Sequence, residues 1–200
     1  MEGPMGYSDE TDESLMRAIK GGKHQAFSIL VRRHTDRFFK TAYRLCGQVQ
    51  EAEDMVQKAF LKIWNNPSIW KEEKGAKFTT WFYRILINQN IDRMRAKKPV
   101  AVDDVYLHSF ADDRTTPEAA FLEAREQELI EQALRALPER QRTAITLCFY
   151  EEQSNAQAAQ IMGVKVKALE SLLMRAKAGL REFMEENATR HKNEEVRHGT

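Results

Sequence analysis

The sequence predicts an all-α protein: two small helical domains joined by a flexible acidic linker. Three observations carry that expectation. Apolar residues recur at steps of three, four and seven over long stretches, the spacing of amphipathic helices. Candidate strands and turn clusters are few. The segment PVAVDDVYLHSFADDRTT, residues 99–116, has no helical period, carries four aspartates and separates two helical blocks. A chain of 200 residues with 42% hydrophobic side chains is long enough for one domain, or two small ones, with a packed core.

The elements follow in order. Residues 1–13 form an acidic N-terminal tail that runs into a short helix, Asp12 to Lys20, stopped by Gly21-Gly22. From His24 to Cys46, Phe27, Leu30, Val31, Phe38, Ala42 and Leu45 mark one face of a long helix that ends at Gly47. A third helix spans about Gln50 to Trp64, with Met55, Val56, Ala59, Phe60, Ile63 and Trp64 inward or at its margin, until Asn65-Asn66-Pro67 breaks it. After a connector over 68–77, Thr79 or Thr80 is expected to cap a helix running to about Lys97, and Pro99 stops it. The linker is 99–116.

Thr116-Pro117 then offers an N-cap with proline at the first helical position. The helix it opens runs to about Ala136, where Leu137-Pro138 ends it, and another is expected from Glu139 to Tyr150. Asn155–Met162, capped by Ser154, meets a turn at Gly163-Val164 and a last helix from Val166 to about Glu186. The polar residues 187–200 read as a frayed tail. The folded blocks are thus 14–98 and 117–186.

Composition excludes several classes. No stretch approaches the roughly 20 apolar residues of a membrane span. The acidic, polar start lacks the basic-then-apolar pattern of a signal peptide. The only cysteines are Cys46 and Cys148, each in an apolar helical pattern, so buried core thiols are expected rather than a disulfide framework or a zinc site. A cytoplasmic protein is expected.

The total of 31 basic and 30 acidic side chains hides a segregation. Residues 15–98 carry 18 basic against 7 acidic groups, whereas 1–14 carry none against 5 and 99–152 carry 5 against 12. A block at +11 is the electrostatic footprint of a polyanion binder, since phosphates neutralised by Lys and Arg release counterions. The acidic blocks oppose DNA binding. If the linker and the N-terminal tail folded over that basic face, free protein would bind DNA weakly, and neutralising Asp103, Asp104, Asp112 and Asp113 would raise its affinity.

Two segments carry the chemistry. SNAQAAQIMGVKVKALESLLMRAK, residues 154–177, has the proportions of a helix-turn-helix. Ala156, Ala159 and Ile161 are expected inward on the first helix, with Val164, Leu169 and Leu173 inward beyond the turn. Lys165, Lys167, Ala168, Ser171, Leu172 and Arg175 are left to face a major groove. KFTTWFYRILINQNIDRMRAKK, residues 77–98, sets aromatic beside basic and amide side chains. Phe78, Phe82, Ile85 and Leu86 share a core-facing stripe. Trp81, Arg84, Asn88 and Asp92 lie about a turn apart on another face, ahead of the basic end Arg93, Arg95, Lys97 and Lys98. Aromatic rings beside cations suit unpaired bases, each stacked base contributing roughly 1–3 kcal/mol.

GGKHQAFSILVRRH, EAEDMVQKAFLKIW and FTTWFYRILINQNIDRMR together resemble region 2 of the extracytoplasmic-function (ECF) sigma factors of the sigma-70 family. LPERQRTAITLCFYEEQSNAQAAQIMGVKVKALESLLMRAKAGLRE resembles their region 4. The two matches cover roughly residues 14–98 and 117–184 in the family's order. The resemblance implies a region 2 bundle and a region 4 helix-turn-helix in a sigma factor that binds core RNA polymerase and directs promoter-specific initiation. It implies that Asp54, Gln57, Lys58 and Leu61 dock on the β′ clamp helices, and that region 4 meets the β flap. It implies that Lys77, Thr79, Trp81, Arg84, Asn88 and Arg95 read and open the −10 element, and that Lys165, Lys167, Ala168, Ser171, Leu172 and Arg175 read the −35 duplex. It further implies an anti-sigma factor that holds the protein inactive until a stress signal, at the membrane where that factor is anchored there, and a place on the nucleoid in holoenzyme. Lys165 stands where the family often has a capping Ser, and Glu170 where a basic residue often precedes the serine.

Other readings account for less. A helix-turn-helix repressor acting without polymerase would explain 117–186 and leave the cassettes over 50–98 without purpose. A helical enzyme finds no support. The five histidines show no metal spacing, and there is no phosphate loop or nucleophile motif. No catalytic residue, metal or cofactor is expected.

Overall fold

The computed structural model describes residues 9–72, 77–96 and 117–198. The chain divides into two compact units, Met1–Ala101 and Val102–Thr200. Both are helical, with no strand among the described residues. Residues 97–116, which include the expected acidic linker, and residues 1–8 of the tail lie outside the described residues, as does the autoinhibitory contact expected of them.

The first unit is built from α1 (Asp12–Lys20), α2 (His24–Cys46), α3 (Val49–Asn65), a single 3-10 turn over Pro67–Ile69 and α4 (Phe78–Ala96). Thr11 caps α1, its hydroxyl oxygen accepting from the Ser14 amide at 3.2 Å, and α1 buries Leu15, Met16 and Ile19. α2 closes on Gly47 at φ +75°, whose amide donates to the Tyr43 carbonyl at 2.7 Å. This left-handed position is one a glycine adopts without a Cβ clash.

The core of this unit is aromatic. Phe38 of α2 is fully buried and lies parallel to Phe82 of α4, with ring centroids 3.7 Å apart. Tyr83 meets Phe38 edge-on at 5.5 Å, and Phe60 of α3 lies 4.9 Å from Phe82. Three helices therefore meet in one cluster of rings, which fixes the rotation of α4 about its axis. Glu51 of α3 and Arg93 of α4 pair near the other end of the two helices, and Arg93 also donates to Asn90 Oδ1 at 2.9 Å. The expected basic end of α4 is thus partly turned inward: Arg93 is structural, while Arg95 is exposed. Lys97 and Lys98 are outside the described residues.

The cap expected at Thr79 or Thr80 is not there. α4 starts at Phe78, so both threonines are already helical, and Thr80 is buried. The acceptor for the first amide comes instead from α1, where Glu13 Oε1 takes the Phe78 N–H at 3.1 Å. A partner 65 residues away leaves no local signal.

The second unit holds α5 (Pro117–Ala136), α6 (Glu139–Ile145), a π-helical turn over Thr146–Tyr150, α7 (Asn155–Met162) and α8 (Val166–His198). Leu134, Leu137, Ile145 and Ala176 form its core, joined by Ile130, Tyr150, Leu173 and Leu180. The single helix expected over 139–150 changes pitch after Ile145. The Glu151 amide reaches back five residues to the Thr146 carbonyl at 3.1 Å. Five residues are too few for apolar spacing to separate the two pitches.

Two further expectations are corrected. Ala156 is exposed; the inward face of α7 is Ala158, Ala159 and Ile161. α8 continues to His198 in place of the frayed tail expected after Glu186. No Gly or Pro interrupts residues 180–198, and Glu, Arg, Lys and Ala there favour helix.

Candidate functional site

Three surfaces emerge from this scaffold. The first is the outer face of α3. With Met55, Val56, Ala59, Phe60 and Ile63 buried, the helical period leaves Asp54, Gln57, Lys58 and Leu61 outward, and all four are exposed. Lys58 Nζ donates to Asp54 Oδ2 at 2.6 Å, an exposed i,i+4 pair that adds little to stability. Leu61 is 47% exposed and Trp64, a turn on, 44%. Asp54, Lys58 and Leu61 edge an open groove of about 840 Å³, closed on its other sides by Ile69, Gln89 and Asp92. Gln57 is not part of that groove. Trp64 packs against His24 and Phe27 of α2, at 4.8 and 4.9 Å between ring centroids.

The second surface is the outer edge of α4. Phe78, Phe82 and Leu86 are fully buried, and Ile85 of the expected stripe is half-buried at its margin. The opposite side carries Trp81 and Arg84, both half-buried, then exposed Asn88 and Arg95. Trp81 is seated at the rim of the ring cluster, 6.1 Å from Phe78 and 6.5 Å from Phe82. Its position is therefore set by the core while part of its surface stays open. Lys77 is exposed and Thr79 half-buried at the start of the helix. Arg95 lies 4.0 Å from Asp92, both solvated. Tyr83 belongs wholly to the core, under the Arg37 guanidinium at 6.0 Å. The structure thus brings Trp81, Arg84, Asn88 and Arg95 onto one edge, with Lys77 and Thr79 at its N-terminal end.

The third surface is the helix-turn-helix. Ser154 and Gln157 form a reciprocal capping box at the start of α7: the Ser154 oxygen accepts from the Gln157 amide at 3.3 Å, and the Gln157 side chain accepts from the Ser154 amide at 3.0 Å. Gly163, at φ +65° and ψ +34°, reverses the chain. Leu169 is fully buried, and Val164 and Leu173 are half-buried. Lys165, Lys167, Ala168, Ser171 and Arg175 are exposed, whereas Leu172 is half-buried and presents only part of its surface.

The Lys165 carbonyl accepts the amides of Ala168 and Leu169 at 2.9 and 3.1 Å, so Lys165 occupies the cap position. It stands at the positive end of a 33-residue helix, where anions are favoured. Ser171 Oγ donates to the Lys167 carbonyl at 2.9 Å, and Arg175 Nε to the Ser171 carbonyl at 3.2 Å, which orders both side chains along the helix. One neighbour escaped the sequence reading. Phe149, on the π-helical turn, is 55% exposed with Lys177 Nζ 4.9 Å above its ring. The change of pitch that turns it outward has no sequence signature.

Other candidates fall away from chemistry. Cys46 and Cys148 are half-buried, and desolvation pushes both thiols up from their ordinary range, so neither is held as a reactive thiolate. Among the described residues there is no His, Cys, Asp and Glu group able to hold a metal ion, and no helix long and apolar enough to cross a membrane.

Comparison with known proteins bears on these surfaces. Sigma-70 region 2 matches residues 30–100 and Sigma-70 region 4 matches residues 127–180. The ECF RNA polymerase sigma factor SigW of Bacillus subtilis is 31% identical over 83% of this chain and 92% of its own length. The RNA polymerase sigma-H factor of Pseudomonas aeruginosa is 28% identical over 86% of this chain and 93% of its own. Among solved structures, the sigma factor RpoE of Bartonella quintana, co-crystallised with the anti-sigma factor NepR, shares the fold. It has a TM-score of 0.64 at 23% identity, over 80% of this chain and 96% of that one.

Proposed function

This chain belongs to the ECF sigma factors of RNA polymerase, and on that premise we propose how its surfaces divide the work of initiation. The outer face of α3, through Asp54, Gln57, Lys58 and Leu61, docks on the β′ clamp helices of core polymerase. The edge of α4, with Lys77, Thr79, Trp81, Arg84, Asn88 and Arg95, takes the −10 element as unpaired bases. The start of α8, with Lys165, Lys167, Ala168, Ser171, Leu172 and Arg175, reads the −35 element as duplex, and the same unit meets the β flap. The protein works in the cytoplasm with polymerase and has no catalytic step of its own.

The observation that carries this reading is the seat of Trp81. An aromatic ring anchored at the rim of a buried ring cluster and still partly open is a stacking platform beside cationic and amide groups, which suits single strands. The helix-turn-helix pairs a left-handed glycine turn with a cationic helix start, which suits a major groove. Flipping a base out of a duplex costs a few kcal/mol, a cost that two or three stacking and phosphate contacts offset.

An anti-sigma factor keeps the protein inactive until a stress signal arrives, as the complex of the Bartonella relative suggests. The exposed apolar side chains Leu61, Trp64 and Ile69 give such a partner apolar surface to cover. The division is tested with four variants in holoenzyme. Trp81→Ala and Asn88→Ala should impair promoter opening while leaving core affinity intact, and Asp54→Ala and Gln57→Ala should do the reverse. Equal loss of core binding in all four would contradict it.

A further inference from the structure

We propose that α1 is the positioning strut of the −10 edge, with the Glu13 carboxylate serving as the N-cap of α4. The proposal rests on the reading that this edge engages the −10 element.

The first amides of a helix have no partner within it, and a Ser, Thr, Asp or Asn just ahead usually supplies one. Here that residue is Lys77, whose side chain has no acceptor. The Phe78 amide donates instead to Glu13 Oε1 at 3.1 Å. A carboxylate at this end also lies favourably on the helix dipole.

Glu13 can act as a fixed cap because α1 is anchored on its own account. Leu15 and Met16 are fully buried. Asp12 binds α2 twice, Oδ1 accepting from Arg33 Nη1 and Oδ2 facing His34 Nε2, both at 2.7 Å. Arg33 Nη1 also donates to the Glu10 carbonyl at 2.8 Å.

The strut holds the chain on both sides of residues 73–76. On the near side, Arg17 Nη1 reaches both Glu72 oxygens at 2.9 Å, and Lys20 Nζ sits 5.0 Å above the ring of buried Trp70. On the far side stands the Glu13 cap. His34, held by Asp12, also packs its ring 5.7 Å from Phe78. Backbone and ring of Phe78 are therefore both set by the α1–α2 latch. Lys77 and Thr79 flank Phe78, and Trp81 follows one turn later. A side chain 65 residues upstream of α4 thus decides where the base-reading residues stand.

The test uses full-length protein assembled with core polymerase. Core affinity, binding of a single-stranded non-template −10 oligonucleotide, and promoter opening followed by 2-aminopurine fluorescence are measured for Glu13→Ala and Glu13→Gln, with Trp81→Ala alongside. Glu13→Ala should lower opening and oligonucleotide binding about tenfold, the scale of one charge-assisted hydrogen bond, with core affinity unchanged. Glu13→Gln keeps an acceptor of the same reach and should recover most of that loss.

If Trp81→Ala is impaired while Glu13→Ala opens like wild type, the strut is wrong and the −10 reading stands. If Trp81→Ala itself opens like wild type, the −10 reading falls, and the proposal with it. A loss in Glu13→Ala that extends equally to core affinity and is not recovered by Gln makes Glu13 a purely structural residue and overturns the proposal. Should Glu13→Ala fail to fold, Glu13→Gln against Glu13→Asp decides. Asp keeps the charge but is one methylene short, so it should open less well than Gln, and the reverse order refutes the cap.

Discussion

Replacing Gly163 tests the turn that sets α8 against α7. A Cβ built on Gly163 would meet nothing within 4 Å, so no steric clash complicates the substitution and the cost comes from the backbone alone. At φ +65° an L-residue with a Cβ is strained by about 1–2 kcal/mol. Alanine also restricts the unfolded chain, which favours the variant by about 0.4–1 kcal/mol. The net expectation is a loss of about 1 kcal/mol for Gly163→Ala, or roughly 4–8 °C in the transition of a unit this size. Asparagine tolerates the left-handed region and should lose less, and valine, branched at Cβ, should lose more. Calorimetry of the full-length chain reads the order Gly, Asn, Ala, Val directly. An alanine variant as stable as wild type, or one more stable than the asparagine variant, would refute a left-handed residue at this turn.

Asp12→Asn should cost about 1–3 kcal/mol at neutral pH, through loss of its charged hydrogen bonds, and should flatten the acid limb of stability. Burial pushes the Asp12 carboxyl up, but hydrogen bonds and charge from His34 and Arg33 outweigh it and hold it below its ordinary value. The ionised form therefore stabilises the fold above about pH 4, and wild type loses that contribution as pH falls through the lowered value. Denaturant unfolding at pH 7 and pH 3 should show the gap between wild type and variant closing, and a constant gap contradicts the latch. Phe38→Ala, which empties the centre of the ring cluster, should cost about 3–5 kcal/mol in the first unit, measured by the same unfolding curves. Iodoacetamide should label Cys46 more slowly than a free thiol at pH 7.5, and guanidinium should abolish the difference; fast labelling of folded protein would speak against the raised thiol.

Much of the fold was legible because its punctuation is local. Gly21-Gly22, Gly47, Leu137-Pro138 and the Ser154–Gly163 pair each act through their own backbone chemistry, and the observed α1, α2 and α7 match the ranges expected from such signals, as does α5, although the cap expected at Thr116 lies outside the described residues. What stayed illegible depends on partners distant in sequence or on small differences in pitch. Glu13 capping α4 and Glu51 turning Arg93 inward are tertiary facts. The π-helical turn that exposes Phe149, and the extension of α8 to His198, turn on balances that apolar spacing does not record. The proposed site residues come from the family resemblance, while the structure shows where they are mounted. Trp81 is half-buried at the rim of the ring cluster, and Leu172, expected in the groove, is half-buried.

The most direct test of the central claim is run-off transcription with core RNA polymerase stripped of every other sigma subunit, on a pool of genomic promoter fragments. Adding the purified protein should yield promoter-specific transcripts whose start sites share a −35 and a −10 element. Those transcripts should be lost in Trp81→Ala holoenzyme that still assembles. Tight binding of DNA by the protein alone, with no transcripts from the reconstituted enzyme, would contradict the account and point to a repressor.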